Sequence, residues 1–209
     1  MKRYVLTERV MDLVLLIIFV FTFASILILP GPNAAFAVGQ SLKYGIANSI
    51  SVPLGFMAAT GVHAIIVLSG LGTIIQQHAS VLVVLKWVGV FYLMFLAFKA
   101  YTNKPSKIEL SPKEFSKLKM FLSAMLVSLT NPKALLASIL IYPVFVSAEH
   151  SYPIQAVVLS LCAMAVSFSV YGSYCVVASA FKNGLVSSRL ANKVVGSLYL
   201  GAAGALVSK

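Results

Sequence analysis

Two short stretches carry the residues able to hold a charged small molecule. They are Leu29-Pro30-Gly31-Pro32-Asn33 and Thr130-Asn131-Pro132-Lys133, and each interrupts a long apolar run. Proline lacks a backbone donor and clashes with the preceding turn, so a helix stops at such a sequence and restarts beyond it. In hydrocarbon the carbonyls so released need partners, so a break survives only inside protein or beside a watery cavity. A helix restarting at Pro32-Asn33 or at Asn131-Pro132 aims its N-terminal amides, worth about half a positive charge, at an anion such as a carboxylate. Lys133 adds a full charge. The unwound carbonyls around 29–31 and 129–130 suit an ammonium instead. An amino acid carries both groups, and two interrupted helices in corresponding positions point to a transporter's binding site. The competing reading is that both breaks only kink helices for packing.

Three further groups could act on a transported molecule. His63 lies well inside an apolar run and could shuttle protons; it could equally be a histidine bonded to a neighbouring helix. Lys133 inside a span costs roughly 2.5–3.5 kcal/mol if central and unpaired, so it either meets substrate or snorkels to an interface. Tyr92 and Tyr199 either line a pathway or anchor an interface. The five carboxylates, Glu8, Asp12, Glu109, Glu114 and Glu149, fall in loops or at the N-terminal flank. A hydrolase or phosphotransferase needs clustered acids, metal ligands or an activated nucleophile. No such cluster, cofactor motif or nucleotide-binding motif stands here. Cys162 and Cys175, thirteen residues apart in one apolar run, would sit roughly 20 Å apart on a helix, beyond disulfide reach.

The elements that must position these residues follow from hydropathy. The chain of 209 residues is 60% hydrophobic and 10% charged, against about 25% charged in soluble domains. It reads as an all-α integral membrane protein. Its net charge of +11 belongs to loops facing cytoplasm and anionic lipid rather than to nucleic acid, for no basic patch is interleaved with aromatics. Spans of about 20 apolar residues are predicted at 13–29 with a continuation to 42, then 46–75, 81–98, 121–146 broken at Asn131-Pro132, 154–181, and a short last one at 194–207. Residues 102–119 form the one substantial polar loop, and Ser111-Pro112-Lys113-Glu114 within it matches a capping box. Turns are expected at Gln76-Gln77-His78 and Glu149-His150-Ser151. Gly55, Gly61, Gly89, Gly196, Gly201 and Gly204 are expected to permit close helix packing. A cleavable leader is a weaker reading of the N-terminus: Lys2-Arg3 and Ala35-Phe36-Ala37 fit one, but the apolar run of 13–29 exceeds the usual core of about 7–15 residues.

An internal repeat fits these spans. Lys86-Trp87-Val88-Gly89-Val90-Phe91-Tyr92-Leu93 matches Lys193-Val194-Val195-Gly196-Ser197-Leu198-Tyr199-Leu200 at five of eight places, 107 residues apart, and Pro32 and Pro132 are 100 apart. Three spans lie between the copies, which inverts the second. The expected architecture is therefore two inverted three-helix repeats, 1–101 and 120–209, around the basic loop 102–119, with helices 1 and 4 interrupted. Ten Lys and Arg residues lie on the side of that loop and five on the other, so the loop is expected in the cytoplasm and both termini outside. The basic N-terminus opposes that orientation.

The order and spacing of the motifs resemble the LysE/RhtB family of bacterial amino-acid exporters over nearly the whole chain. The resemblance rests on Pro30-Gly31-Pro32-Asn33, Gly61-Val62-His63, Lys86-Trp87-Val88-Gly89 with Tyr92-Leu93, Ser128-Leu129-Thr130-Asn131-Pro132-Lys133, Pro143-Val144-Phe145-Val146 and Arg189 with Asn192, Gly196 and Gly204. It implies proton-driven export of amino acids or close derivatives across the inner membrane. Two positions depart from it: family members often carry Asp where Asn33 stands and Gln where Val144 stands. The first departure removes a proton carrier. A homodimer, a different small solute and a non-transporting assembly role all stay open.

Overall fold

The computed structural model describes residues 12–70, 79–102, 116–146, 150–181 and 188–207. The helices are α1 (Leu13–Ile28), α2 (Pro32–Tyr44), α3 (Ile46–Ser49), α4 (Ser51–Leu68), α5 (Ala79–Thr102), α6 (Lys117–Leu129), α7 (Pro132–Ile141), α8 (Tyr152–Ala180) and α9 (Ser188–Val207), with a 3-10 turn at Tyr142–Phe145 after α7. Among the described residues there is no strand.

Local chemistry sets most boundaries. Asp12 caps α1, its carboxylate accepting from the Val14 amide at 2.9 Å. The helix stops before Pro30, and Pro32 opens α2 at its first turn, 67° away in direction. Leu129 ends α6, Pro132 opens α7, and that second bend is 62°. Gly45, at φ 76°, ends α2, and Gly70, at φ 86°, follows α4; both adopt left-handed backbone that favours glycine. Ser116 caps α6 by accepting from the Lys119 amide at 3.2 Å.

By length and composition, Ile46–Leu68 and Tyr152–Ala180 can each cross a membrane, and each bent pair can serve as one broken span. The outer surface is apolar: Phe21 and Val144 are each 71% exposed, and Phe98 is 67% exposed. The inside holds the polar groups, with Asn33, Thr60, His63, Ser128, Asn131, Gln155 and Ser167 all buried. That inverts the soluble pattern and suits a lipid surround.

The central helix is α4, with ten of its 18 residues buried, packed between α6 and α8. A face of α8 spaced by fours, Gln155, Leu159, Ala163, Ser167, Tyr171 and Cys175, turns inward against α1, α2 and α4. Several of the packed pairs, though not all, follow an exchange rule. Swapping α1 with α6, α2 with α7, α4 with α8 and α5 with α9 turns the pairs α4/α6 and α2/α8 into α8/α1 and α7/α4, which are also packed; α2/α9 likewise becomes α7/α5.

Several boundaries differ from the sequence expectation. The last helix starts at Ser188 rather than 194 and runs for 20 residues. Its polar first turns are good helix formers that a criterion of apolarity passes over. The second span leaves the helix at Leu68, short of 75, because Gly70 terminates it. Residues 71–78, the capping box at 111–114 and Glu149 lie outside the described residues, as do Glu8, Glu109 and Glu114. The glycine expectation divides. A Cβ at Gly55 would lie 2.4 Å from the Phe121 carbonyl oxygen, one at Gly196 2.6 Å from the Tyr101 ring, and one at Gly61 3.1 Å from the Met164 sulfur. At Gly201 and Gly204 nothing lies within 4 Å, because both face outward. Gly204→Ala is therefore expected to leave the fold intact and to shift stability upward by at most about 1 kcal/mol, the helix-propensity difference. Thermal unfolding in detergent checks this, and a marked loss would place a neighbour at that face.

Candidate functional site

The two breaks meet. Asn131, the residue before Pro132, stands in extended backbone and caps α7, its Oδ1 accepting from the Lys133 amide at 3.1 Å. Its Nδ2 donates to Asn33 Oδ1 at 2.9 Å, and Asn33 Nδ2 donates in turn to Ser128 Oγ at 3.1 Å. All three side chains are buried. A continuous chain of amide and hydroxyl bonds thus ties the start of α2 to the end of α6 and the start of α7. Polar bonds between membrane helices average about 0.6 kcal/mol, with about 1.7 at most. Here they also give partners to amide and hydroxyl groups buried beside two broken helix ends.

Lys133 crosses in the opposite sense. From α7 its Nζ donates to the Leu29 carbonyl at 2.7 Å, and Tyr174 of α8 donates to the Ile28 carbonyl at 2.5 Å. These are two of the orphan acceptors that α1 leaves where it stops. The breaks therefore brace one another reciprocally: Asn33, just after Pro32, reaches the end of α6, while Lys133, just after Pro132, reaches the end of α1.

The N-terminus of α2 is different. No side chain caps it, and Gly31 supplies no side chain of its own. A Cβ on Gly31 would lie 3.7 Å from Lys133 Cδ and Nζ, so the ammonium sits directly beside this end. A narrow cleft opens here, lined by Leu29, Gly31, Asn33, Asn131, Lys133 and Tyr171, with aliphatic and alanine side chains between them. Among the described residues its lining contains no carboxylate. It has room for about one water.

Of the residues singled out from sequence, Gly31, Asn33, Asn131 and Lys133 line this cleft. Pro32 and Pro132 are buried behind it, and Pro30 is exposed. Thr130 turns its hydroxyl back to the Leu126 carbonyl at 2.8 Å and so closes the end of α6. His63 is buried in α4, 2% exposed, away from the cleft lining, and its Nε2 has no hydrogen-bond partner among the described residues. Tyr199 of α9 accepts from Gln40 Nε2 at 2.9 Å and packs its ring 6.3 Å from Phe36. From there an aromatic row passes through Phe56 and Tyr171, whose rings are 4.7 Å apart, to Tyr174. Tyr92 lies in α5, and its side chain is outside the described residues. Cys162 and Cys175 are both free thiols on α8.

Sequence reasoning passed over Ser128, Tyr171 and Tyr174 as site residues. Tyr171 lines the cleft beside Asn33, and Tyr174 holds α1's last turn. Their one sequence signal is a pair of hydroxyls three residues apart in the middle of an apolar run.

The family model described as "LysE type translocator" matches residues 24–209. A membrane protein of Vibrio cholerae without an assigned role is 24% identical over 176 residues, 82% of this chain and 86% of that protein. The homoserine/homoserine lactone efflux proteins of Salmonella typhimurium and Salmonella typhi are each 26% identical over 176 residues, 82% of this chain and 85% of theirs. No solved structure matches.

Proposed function

This chain belongs to the LysE type translocator family, a family of transporters and not enzymes, and from that premise we propose that it exports small amino acids or close derivatives, homoserine-like compounds among them. The observation that carries the reading is the meeting of two helix breaks at a cleft that, among the described residues, holds one lysine and no carboxylate. An uncapped α2 N-terminus beside the Lys133 ammonium suits a carboxylate. The end of α1, with its carbonyls at Ile28 and Leu29, suits an ammonium. The α7 N-terminus, also a sequence candidate, already has its Lys133 amide on Asn131, so the anion falls to α2. A cationic side chain is disfavoured because nothing in the lining would neutralise it.

Homoserine and its lactone, named for the Salmonella relatives, share the α-ammonium and differ at the carboxyl. A carrier for both must therefore grip the ammonium in common. The cleft is too small for either as it stands, so this conformation is a closed one and loading requires the breaks to part. Alternating access by six spans in two inverted repeats is supported by the exchange rule among packed helices. Energy coupling is assigned to protons, with His63 as the group that could carry them. The membrane is the inner one, with the basic loop 102–119 in the cytoplasm.

The experiment is efflux of preloaded, labelled homoserine from cells expressing the parent or Lys133→Ala at matched surface levels. Parent efflux is expected to exceed background and to collapse with an uncoupler. A charge-assisted bond contributes about 1.5–3 kcal/mol, so Lys133→Ala is expected to lower efflux roughly 10- to 100-fold. Absence of parent efflux for any amino acid would overturn the reading.

A further inference from the structure

We propose that the Lys133 ammonium is a resident stand-in for the ammonium of the transported molecule, so that loading is an exchange of one ammonium for another. The inference rests on the exporter reading above. Its first support is position. Lys133 Nζ donates at 2.7 Å to the Leu29 carbonyl, the last acceptor of a helix that stops at Pro30. That oxygen stands at the negative end of α1, where an arriving ammonium would bind. Lysine and substrate therefore compete for one atom.

The second support is the place to which the lysine can retreat. Its Nζ and Cδ lie beside Gly31, within ordinary contact of the space a Cβ would take there. The uncapped start of α2 is thus a side-chain rotation away on a flexible four-carbon stem. When a zwitterion enters, its ammonium takes the Leu29 carbonyl, and Lys133 turns to the carboxylate now resting at α2. When a lactone enters, the ammonium exchange happens without a carboxylate to receive the lysine. The third support is the lining, in which no acid stands among the described residues to neutralise two cations at once. One must leave as the other arrives.

This makes a free ammonium the entry requirement and Lys133 the residue that enforces it. N-acylated amino acids, which cannot replace the lysine at Leu29, are excluded. It also gives Lys133 opposite effects on two ligands. Without the lysine, a molecule bearing an ammonium and no carboxylate binds more tightly, because its competitor is gone. A zwitterion binds less tightly, because it loses its counter-charge.

The test uses the full chain in detergent, with Cys162 and Cys175 replaced by alanine and Gly31→Cys as reporter. The extended backbone of Gly31, at φ −176°, accepts a side chain. The probe is propylammonium, an ammonium alone, and the readout is its protection of the Gly31→Cys thiol from a maleimide. Adding Lys133→Met is expected to lower the half-protecting concentration about tenfold, equivalent to about 1.4 kcal/mol, whereas Lys133→Arg is expected to leave it near the parent value. Equal protection with lysine and methionine, or protection in neither, would overturn the exchange. A size-exclusion profile on each variant separates misfolding from a true result. Homoserine efflux by the parent is measured alongside. Its failure with the protection shift intact would remove the exporter reading alone, and its success without the shift would remove the exchange alone.

Discussion

Gly55→Val is expected to leave no correctly folded carrier in the membrane. A Cβ at position 55 would stand 2.4 Å from the Phe121 carbonyl oxygen, 2.9 Å from the Ala124 Cβ and 3.1 Å from the Met125 amide nitrogen. Two of those three atoms are backbone of α6, which cannot swing aside as the end of a long side chain can. Valine brings two more methyl groups into the same space. Overpacking costs about 1–3 kcal/mol where neighbours can yield, and here α4 and α6 would have to separate along their contact. That separation costs more than side-chain overpacking alone, and total stabilities are only about 5–15 kcal/mol. The check is the yield and monodispersity of the variant in mild detergent, with Gly55→Ala expected between parent and valine. A monodisperse valine variant at parental yield would show that the two helices are not held so close.

The second large effect is expected at Asn131→Ala, with at least a tenfold loss of export and a clear loss of stability. Asparagine does two things there. Its carbonyl oxygen caps α7, worth about 1 kcal/mol, and its amide nitrogen donates to Asn33. Alanine removes both and leaves the buried Asn33 oxygen without its donor, at about 1–3 kcal/mol. Asn131→Asp separates the roles. Aspartate keeps an acceptor for the Lys133 amide but has no N–H for Asn33, so α7 stays capped while the brace between the breaks is lost. If export falls equally in both variants at matched surface levels, the brace is the part that matters. If the aspartate variant exports normally, the cap alone matters.

How far the sequence foretold this arrangement depends on the kind of residue. The breaks were plain because proline and glycine act locally: Pro30-Gly31-Pro32 and Asn131-Pro132 stop and restart helices whatever surrounds them. The asparagine cap at 131 is local in the same sense. Partners across the bundle were not legible. That Asn33 meets Asn131 and Ser128, or that Lys133 reaches Leu29 rather than an interface, depends on how two helix pairs bend toward each other, and no spacing within one segment encodes that. Tyr171 and Tyr174 were hidden because, in an apolar run, a tyrosine reads first as bulk. Gly201 and Gly204 misled in the other direction, since a small residue permits close approach but does not summon a neighbour. The start of α9 was placed too late because apolarity marks what lies in hydrocarbon, while helix continues wherever propensity allows.

The bond between Asn33 and Asn131 joins two primary amides. Neither amide gains or loses a proton between strongly acidic and strongly alkaline water, so the brace has the same strength on whichever side of the membrane it faces. An aspartate at position 33 would have made the join sensitive to acidity, gripping or releasing as it titrated. With asparagine there, this bond is indifferent to acidity. Any influence of the proton gradient on the transport cycle has to enter from elsewhere in the bundle and act at a distance.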